Sequence, residues 1–447
     1  MKRPSSIIQT LLIFILLFST SACGTNPQPE DDATPIATPC PTPTASPYPT
    51  AVLTQPATPT PRPSPLPDYT RRFLDAFPAN ADSCHPDHTA DDIGVYIYDL
   101  KAERELVSIN ADEPFQFASA FKAPVLVYFL SSCRQYWDVS SPEWKEYFQN
   151  AEAAKNVDQF TSPEYERVVA EFISDPANWK DVGKFFAEHR QMVNGAGGEI
   201  DTRYFVLDKV YGMIAQSQNV ATAEVLLFIQ ENCPRREPFQ IEAACGDPNA
   251  ITNFNAWFND FSGITYESGA PRRGLFRWDT VIQNTVNGSE EITLPTFGLK
   301  DLCATQRTIL KCDPAYVASN VLSARDFFQF YRALYTSSDE RLRTTAFDLL
   351  AVDESGPARG YLKNLSRSLP ALSFSKNGHA YFINGSVNTD AGIVRYKGKD
   401  YIVVTLSFNA LSPMTMLYGS YDTTGNLVTE PGLIQSLLEE YSGNIQN

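Results

Sequence analysis

Strand-like segments lie near the two ends of residues 68–447, and this distribution constrains the fold more than any other feature. Residues 93–110 are typical of a hairpin: an apolar strand, a charged turn and a second strand. Segments 372–382 and 391–409 carry strand-like runs at the other end, and helical patterns such as 203–229 lie between them. The sequence therefore predicts an α+β domain whose antiparallel sheet is formed from N- and C-terminal strands, with helices packed around it and further helical insertions.

The first 23 residues are typical of a secretion signal. Lys2 and Arg3 precede an apolar run, residues 7–18, that is too short to span a bilayer comfortably. Small residues then lead to Cys23, as in a bacterial lipoprotein signal, although Thr20 lies where Leu is commoner. We expect an extracytoplasmic protein anchored to the bacterial cell membrane through a lipid on Cys23; ordinary cleavage with a free product is the alternative.

Residues 24–67 are predicted to be a disordered linker. Between Pro27 and Pro67 lie 14 of the 32 prolines of the chain, interleaved with Thr, Ser and Ala. This composition does not bury a core and favours extended, polyproline II-like backbone. At about 3.1 Å per residue, ~40 residues reach on the order of 100 Å. The linker would hold the domain at 68–447 well away from a membrane anchor.

Charge and metal-ligand content exclude other classes of partner. The formal net charge of −16 opposes binding to a polyanion, because phosphate binding depends on Lys and Arg. We therefore expect no nucleic-acid partner. The chain has only four His and no C-x-x-C pair, so we predict no metal and no cofactor. We expect a monomer.

Six cysteines remain once Cys23 and Cys40, in the linker, are set aside. Export to an oxidising compartment favours disulfides, and six cysteines allow 15 pairings. Proximity in the sequence favours two short-range bonds and leaves one further pair. The predicted pairs are Cys233–Cys245, Cys303–Cys312 and Cys84–Cys133.

Ser119 and Lys122 interrupt an apolar helical segment, "FQFASAFKAPVLVYFL" (115–130). Residues three apart share a helix face, so the amine can approach the hydroxyl. A serine needs an adjacent base to act as a nucleophile, and a lysine can serve when burial or nearby cations lower its pKa. The first helical turn also presents N–H groups that can stabilise an oxyanion. The alternative is a helix cap followed by a surface lysine.

Two later motifs follow in order. The string SQN (217–219) lies at a break between helical segments, and KNG (376–378) lies in a strand-like stretch. Each motif alone is weak, because S-x-x-K recurs at Ser373 and Lys376 and S-x-N occurs several times. The order of the motifs and their positions give them weight.

With these blocks in this order, most of residues 84–447 resembles the class A β-lactamases and penicillin-binding serine hydrolases, whose signatures are S-x-x-K, S-D-N and K-T-G. The strings "GVYIYDL", "MIAQSQNVATAEVL" and "TDAGIV" are similar to the corresponding blocks. Insertions are expected near 134–200 and 230–265. The resemblance implies a serine β-lactamase-like catalytic domain.

The resemblance also implies roles for the matching residues. Ser119 corresponds to the acylated nucleophile and Lys122 to its proton acceptor or relay. Ser217 would pass a proton to the leaving nitrogen, and Asn219 would hold Lys122 and the substrate amide. Lys376 would attract the substrate carboxylate and influence the Ser217 hydroxyl.

The residues around the third motif carry the remaining implied roles. The backbone N–H groups of Ser119 and His379 would form the oxyanion hole, and Gly378 would let the substrate lie close to the strand. Asn377 replaces the usual Thr and keeps its hydrogen-bonding capacity. Gln218 replaces the usual Asp and removes a charge.

The deacylation base is the largest departure from the family pattern, because no E-x-x-L-N string occurs. In "FRWDTVIQN" Asp279 follows Trp278 as the family's Glu follows a Trp, and Asn284 comes one residue late. Glu267 in "TYESG" is a second candidate. A base must come within about 3 Å of its water, and Asp is shorter than Glu. A solvated loop carboxylate is the alternative interpretation of Asp279.

Three functions remain open on the sequence. The first is a serine hydrolase that hydrolyses a small-molecule β-lactam, the activity of antibiotic resistance. The second is a penicillin-binding D,D-peptidase that acts on a peptidoglycan stem peptide, which the missing E-x-x-L-N favours. The third is a tethered cell-wall-binding lipoprotein with impaired catalysis.

Overall fold

The computed structural model describes residues 68–77, 93–113, 115–155, 163–189, 202–233, 250–264, 321–352, 360–382, 385–408, 411–420 and 430–444. Its strands are β1 (Ile93–Asp99), β2 (Arg104–Ile109), β3 (Phe115–Gln116), β4 (Val321–Leu322), β5 (Ala371–Phe382), β6 (Gly385–Tyr396) and β7 (Lys399–Phe408). β3 and β4 form a separate two-stranded ladder.

Strands from the two ends of the domain lie side by side in one sheet. Its order is β2-β1-β7-β6-β5, and every neighbouring pair is antiparallel. The β1–β7 ladder joins the ends, with Ile97 opposite Val403. The predicted α+β class with an antiparallel sheet is confirmed.

The helices of the described residues pack around this sheet. They are α1 (Tyr69–Ala76), α2 (Lys122–Ser132), α3 (Pro142–Lys155), α4 (Pro163–Ile173), α5 (Val182–Glu188), α6 (Val206–Ala215), α7 (Asn219–Asn232), α8 (Ala250–Ser262), α9 (Ala324–Thr336), α10 (Glu340–Ala351), α11 (Tyr361–Ser368), α12 (Leu411–Tyr418) and α13 (Leu433–Asn444). None of these described helices combines the length and the apolar character that crossing a membrane requires.

The two faces of the sheet bury separate apolar clusters. Successive side chains of a strand point to opposite faces. In β7, Val403 joins the cluster that contains α1, α12 and α13, whereas Ile402 and Val404 join the larger cluster around α2, α6, α7 and α9. The sheet therefore lies between two helical layers, and β5 remains an edge strand beside α2.

Three local features bring polar groups to this edge. A short 3-10 turn, Ala118–Phe121, precedes α2. The break between α6 and α7 falls at residues 216–218, within one residue of the predicted break at 217–219. β5 carries KNG and lies at the edge of the sheet that the described strands form.

The disulfide of the described residues corrects the predicted pairing. Cys133 bonds to Cys233, with a Cα–Cα distance of 5.1 Å, so neither Cys84–Cys133 nor Cys233–Cys245 forms. The cysteines lie at the C-terminal ends of α2 and α7, which begin with Lys122 and Asn219. Packing of the two helices brings the two sulfurs together, so proximity along the chain did not predict this pairing. The predicted Cys303–Cys312 pair and the lipid site Cys23 lie outside the described residues.

Replacement of Cys133 by alanine is expected to destabilise the domain. The bond joins residues 100 apart, and a loop of that length corresponds to about 4–5 kcal/mol of unfolded-state entropy. Thermal unfolding should show a lower Tm for C133A, for C233A and for the double variant, with little additivity because each removes the same bond. Equal Tm values for C133A and the wild type would contradict a stabilising role.

Candidate active site

Ser119 lies in a strained turn near the N-terminal end of the apolar segment 115–130. It lies in the 3-10 turn Ala118–Phe121, and Ala118 before it has φ = 44°. Non-glycine residues rarely adopt this conformation, and it is often found at functional sites. Ser119 itself is half-buried, whereas Lys122 is completely buried. The interpretation of Lys122 as a surface residue is therefore wrong.

The Lys122 amine lies among hydrogen-bond partners from two segments. Its Nζ is 3.0 Å from Ser119 Oγ, 3.3 Å from Ser217 Oγ and 2.7 Å from Asn219 Oδ1. The carbonyl of Ser217 accepts a further bond at 2.5 Å. One amine therefore joins both serine hydroxyls, although their residues are far apart in the chain.

The backbone at the break between α6 and α7 places the Ser217 side chain against the Lys122 amine. Ser217 has φ = 57°, so the chain turns sharply there before α7 begins. Gln218 continues the turn, with its N–H bonded to the Gly212 carbonyl at 3.3 Å. The Gln218 side chain is exposed and donates to Gln216 at 2.6 Å.

β5 packs against Ser119 through a glycine. A Cβ atom on Gly378 would lie 2.4 Å from the carbonyl oxygen of Phe117, 2.6 Å from Ser119 N and 2.9 Å from Ala120 N. Contacts below 3.0 Å are not tolerated, so glycine is required for this approach of strand and turn. Lys376 Nζ lies on the same strand, 3.1 Å from the carbonyl oxygen of Asn377 and 3.2 Å from its Oδ1.

The electrostatics of the site centre on Lys376. It is 2% exposed, and burial lowers its pKa well below the ordinary value. Repulsion from Lys122 and Lys363 lowers this pKa further, and attraction to Asp390 opposes the shift. A bound carboxylate would supply negative charge that these cations favour.

His379 follows KNG, and its side chain is hydrogen-bonded to the neighbouring strand, β6. Nδ1 lies 2.7 Å from Asn388 Oδ1, and an amide oxygen only accepts, so Nδ1 carries the proton. Burial lowers the pKa of His379. The imidazole is therefore neutral at neutral pH, and the predicted oxyanion role concerns only its backbone N–H.

The structure brings together Ser119, Lys122, Ser217 and Asn219, and it places Lys376, Asn377, Gly378 and His379 on the adjacent strand. Asp279 and Glu267, the two candidate bases, lie outside the described residues. Within the described ranges, no group of three or more His, Cys, Asp or Glu side chains is arranged to hold a metal ion.

Two charged groups near Lys376 were missed by the sequence-based prediction. Asp390 is fully buried on β6, directly opposite Asn377, and Lys363 lies on α11. A signal for Asp390 was present, because it directly precedes the apolar run 391–394, and a carboxylate next to a buried strand needs a partner. No sequence pattern pointed to Lys363.

A family comparison matches the segment that carries the first motif. Residues 83–135 match the model of the family described as "Beta-lactamase enzyme family". This segment contains Ser119 and Lys122, and the predicted resemblance to the β-lactamase and penicillin-binding superfamily is confirmed. No curated protein matches the chain.

Solved structures with similar folds include β-lactamases and a penicillin-binding protein. A β-lactamase from Chitinophaga pinensis is 13% identical, with 83% of this chain and 99% of that chain covered and a TM-score of 0.41. The protein PBP-A is 15% identical over 85% and 97% of the chains, with a TM-score of 0.38. A β-lactamase from Streptomyces albus G is 17% identical over 84% and 99%, also with a TM-score of 0.38. At these identities and TM-scores, the fold assignment depends on the strand order and helices described above.

Proposed function

We propose that this chain, which resembles the β-lactamase and penicillin-binding superfamily, hydrolyses β-lactams through an acyl-enzyme on Ser119. One observation carries the proposal: the buried Lys122 amine lies 3.0 Å from Ser119 Oγ and also contacts Ser217 and Asn219. A nucleophile, a base and a second hydroxyl at hydrogen-bond distance are the groups that acyl transfer requires.

The first step forms the acyl-enzyme. Lys122, in its neutral form, accepts the Ser119 proton while Oγ bonds to the lactam carbonyl carbon. Backbone N–H groups at the start of the helical turn stabilise the resulting oxyanion. When the lactam C–N bond breaks, Ser217 Oγ passes a proton to the leaving nitrogen and regains one from Lys122. The positions of both hydroxyls around one amine support this proton path.

The second step releases the product. Water attacks the ester carbonyl, a base takes the water proton, and the Ser119 oxygen leaves and regains a proton. Asp279 and Glu267 are the carboxylates that the sequence suggests for this base. The cationic surroundings of Lys376 support recognition of the carboxylate that penicillins and stem peptides share.

A D,D-peptidase that attacks a peptidoglycan stem peptide is the second candidate. The observation that favours it is the missing E-x-x-L-N string, because a chain without an efficient deacylation base accumulates its acyl-enzyme with β-lactams. The third candidate, a binding protein with impaired catalysis, is disfavoured because the hydroxyls and amines needed for acylation all lie at the site.

Mass spectrometry after mixing residues 68–447 with penicillin distinguishes these functions. We expect a covalent adduct that appears and then disappears as penicilloate accumulates, because hydrolysis regenerates Ser119. A lasting adduct would overturn β-lactam hydrolysis, and release of D-alanine from a stem peptide would then identify the peptidase. No adduct, together with binding to peptidoglycan, would contradict both enzymatic functions.

A further inference from the structure

The disulfide Cys133–Cys233 joins the two helices whose N-terminal ends meet at the proposed catalytic site. Cys133 directly follows the last residue of α2, and Cys233 directly follows the last residue of α7. At the other ends of these helices, the Lys122 amine lies 2.7 Å from Asn219 Oδ1. The two helices therefore run side by side in the same direction, with a hydrogen bond at their N-terminal ends and a covalent bond at their C-terminal ends.

This cross-link is attached firmly to both helices. The N–H of each cysteine donates to the carbonyl four residues earlier in its own helix, at 2.9 Å for Cys133 and 3.1 Å for Cys233. Beside the disulfide, Gln135 Nε2 donates to the Asn232 carbonyl at 3.2 Å. Both cysteines are buried, with exposed fractions of 0% and 6%, so the bond is shielded from thiols in solvent. It is a permanent link between the two helix ends.

Apolar packing by itself restricts a shift of one helix along the other only weakly. Buried side chains of α2 and α7 belong to one cluster, but apolar contacts are non-directional. Packed helices move past one another by about 1–2 Å in conformational transitions, and a misplacement of about 1 Å costs on the order of 10²-fold in rate. A covalent bond at one end removes much of this freedom and therefore holds the groups at the other end in place.

The contacts of Lys122 divide into one that depends on the two helices and one that does not. Ser119 and Lys122 lie in a single turn and helix, 118–132, so the 3.0 Å contact between them is determined locally. Ser217 lies two residues before α7 and reaches Lys122 at 3.3 Å only across the two segments. A shift of α7 along α2 would therefore move Ser217 away from Lys122 and leave the Ser119 contact intact.

We propose that the disulfide positions Ser217 for proton transfer to the leaving nitrogen, whereas attack by Ser119 does not depend on the disulfide. This inference rests on the proposed acyl transfer. In the attack, the Ser119 proton passes to Lys122 as Oγ bonds to the carbonyl carbon. Only when the C–N bond breaks does Ser217 donate a proton to the departing nitrogen. Loss of the cross-link should thus slow reactions whose leaving group needs a proton and spare those whose leaving group does not.

Removal of the cross-link tests this division with two substrates. Penicillin has an amide leaving group, whereas the p-nitrophenyl ester of phenylacetylglycine releases p-nitrophenolate, which leaves without a proton. In the double variant Cys133→Ala with Cys233→Ala, acylation by penicillin should slow by about 10–100-fold, and acylation by the ester should stay within about threefold of the wild type. Mass spectrometry and p-nitrophenolate release measure the two rates, after subtraction of the rate that S119A retains.

Leu438→Ala is the matched control for lost stability. Leu438 is buried on α13, in the cluster on the opposite face of the sheet, which contains no described residue of α2 or α7. Its truncation destabilises the domain, but below the Tm of both variants L438A should react with both substrates at wild-type rates. The pair Cys133→Val with Cys233→Ala fills more of the buried space and should show the same selective loss if the alanine pair does not fold. Equal losses with penicillin and the ester, or no loss with either, would overturn the inference.

Hydrogen exchange gives a readout that does not depend on acylation. Without the cross-link, the backbone amides of residues 217–222 should exchange about tenfold faster relative to those of β7 than they do in the wild type, because the start of α7 opens locally. L438A should leave this ratio unchanged. An unchanged ratio in the cysteine variant would overturn the inference. Wild-type protein that penicillin does not acylate would count against the proposed function, and the exchange ratio would still decide whether the disulfide holds the start of α7.

Discussion

Replacement of Ser119 by alanine is expected to abolish the covalent adduct with penicillin while the fold is retained. The residue is half-buried in a short turn, and alanine fits that turn without loss of core packing. Without Oγ there is no atom to form the ester, so acylation should fall on the order of 10⁶-fold, the scale found when a serine hydrolase loses its nucleophile. Mass spectrometry and turnover of a chromogenic cephalosporin measure this loss.

Ser373 provides the matched control for that experiment. It begins the second S-x-x-K string of the chain, but its hydroxyl donates to Ser375 at 3.2 Å within the sheet. Ser373→Ala should therefore keep the adduct. An adduct of unchanged mass and rate on S119A would show that another nucleophile acts, and the assignment of the site would fail.

Replacement of Lys122 by methionine is expected to have the second largest effect. Methionine fills much of the buried volume but cannot accept the Ser119 proton. Loss of a general base costs about 10²–10⁴-fold in rate, so acylation should slow by that factor. The substitution also leaves the Ser217 carbonyl and Asn219 Oδ1 without their donor, and each unsatisfied buried group costs about 1–3 kcal/mol.

The same variant should change the titration of its neighbour. Repulsion from protonated Lys122 contributes to the lowered pKa of Lys376, so K122M should raise that pKa over the pH range in which Lys122 carries its proton. Lys209→Met is the matched control, because Lys209 is partly exposed and forms an ion pair with Glu224 at 3.0 Å. Stopped-flow acylation with a fluorescent penicillin tests both variants. A K122M rate within about tenfold of the wild type would be too small a loss for a general base and would contradict that role.

Local signals in the sequence were sufficient for most elements. Ser323 precedes a helical string and is a favoured N-cap residue; its side chain accepts the Asp326 N–H at 3.1 Å, and the Asp326 carboxylate accepts the Ser323 N–H at 2.9 Å. The hairpin at 93–110 and a helix break at SQN (217–219) were predicted from such local signals, and the structure has the hairpin and a break at 216–218. These features depend on residues within a few positions of one another, so their spacing is visible in the sequence.

Long-range relations were harder to predict. The order of three motifs pointed to a shared site only through the family resemblance, since nothing in their spacing brings Ser217 or Lys376 to Ser119. Proximity along the chain predicted the wrong disulfide, because Cys133 and Cys233 meet through the packing of α2 against α7. Asp390 went unrecognised because its significance depends on burial and on neighbours from β5 and α11.

The sequence by itself determined the strand segments at both ends of the domain, the helix break at the second motif, and the spacing that brings Ser119 and Lys122 to one helical turn. Only the tertiary structure decided that Lys122 is buried, that it also binds Ser217, and that the buried carboxylate of Asp390 lies opposite Asn377. The physical reason is that helix and strand formation follow short-range spacing, whereas the chemistry of an amine or a carboxyl is determined by the water it loses and the charges that folding brings near it.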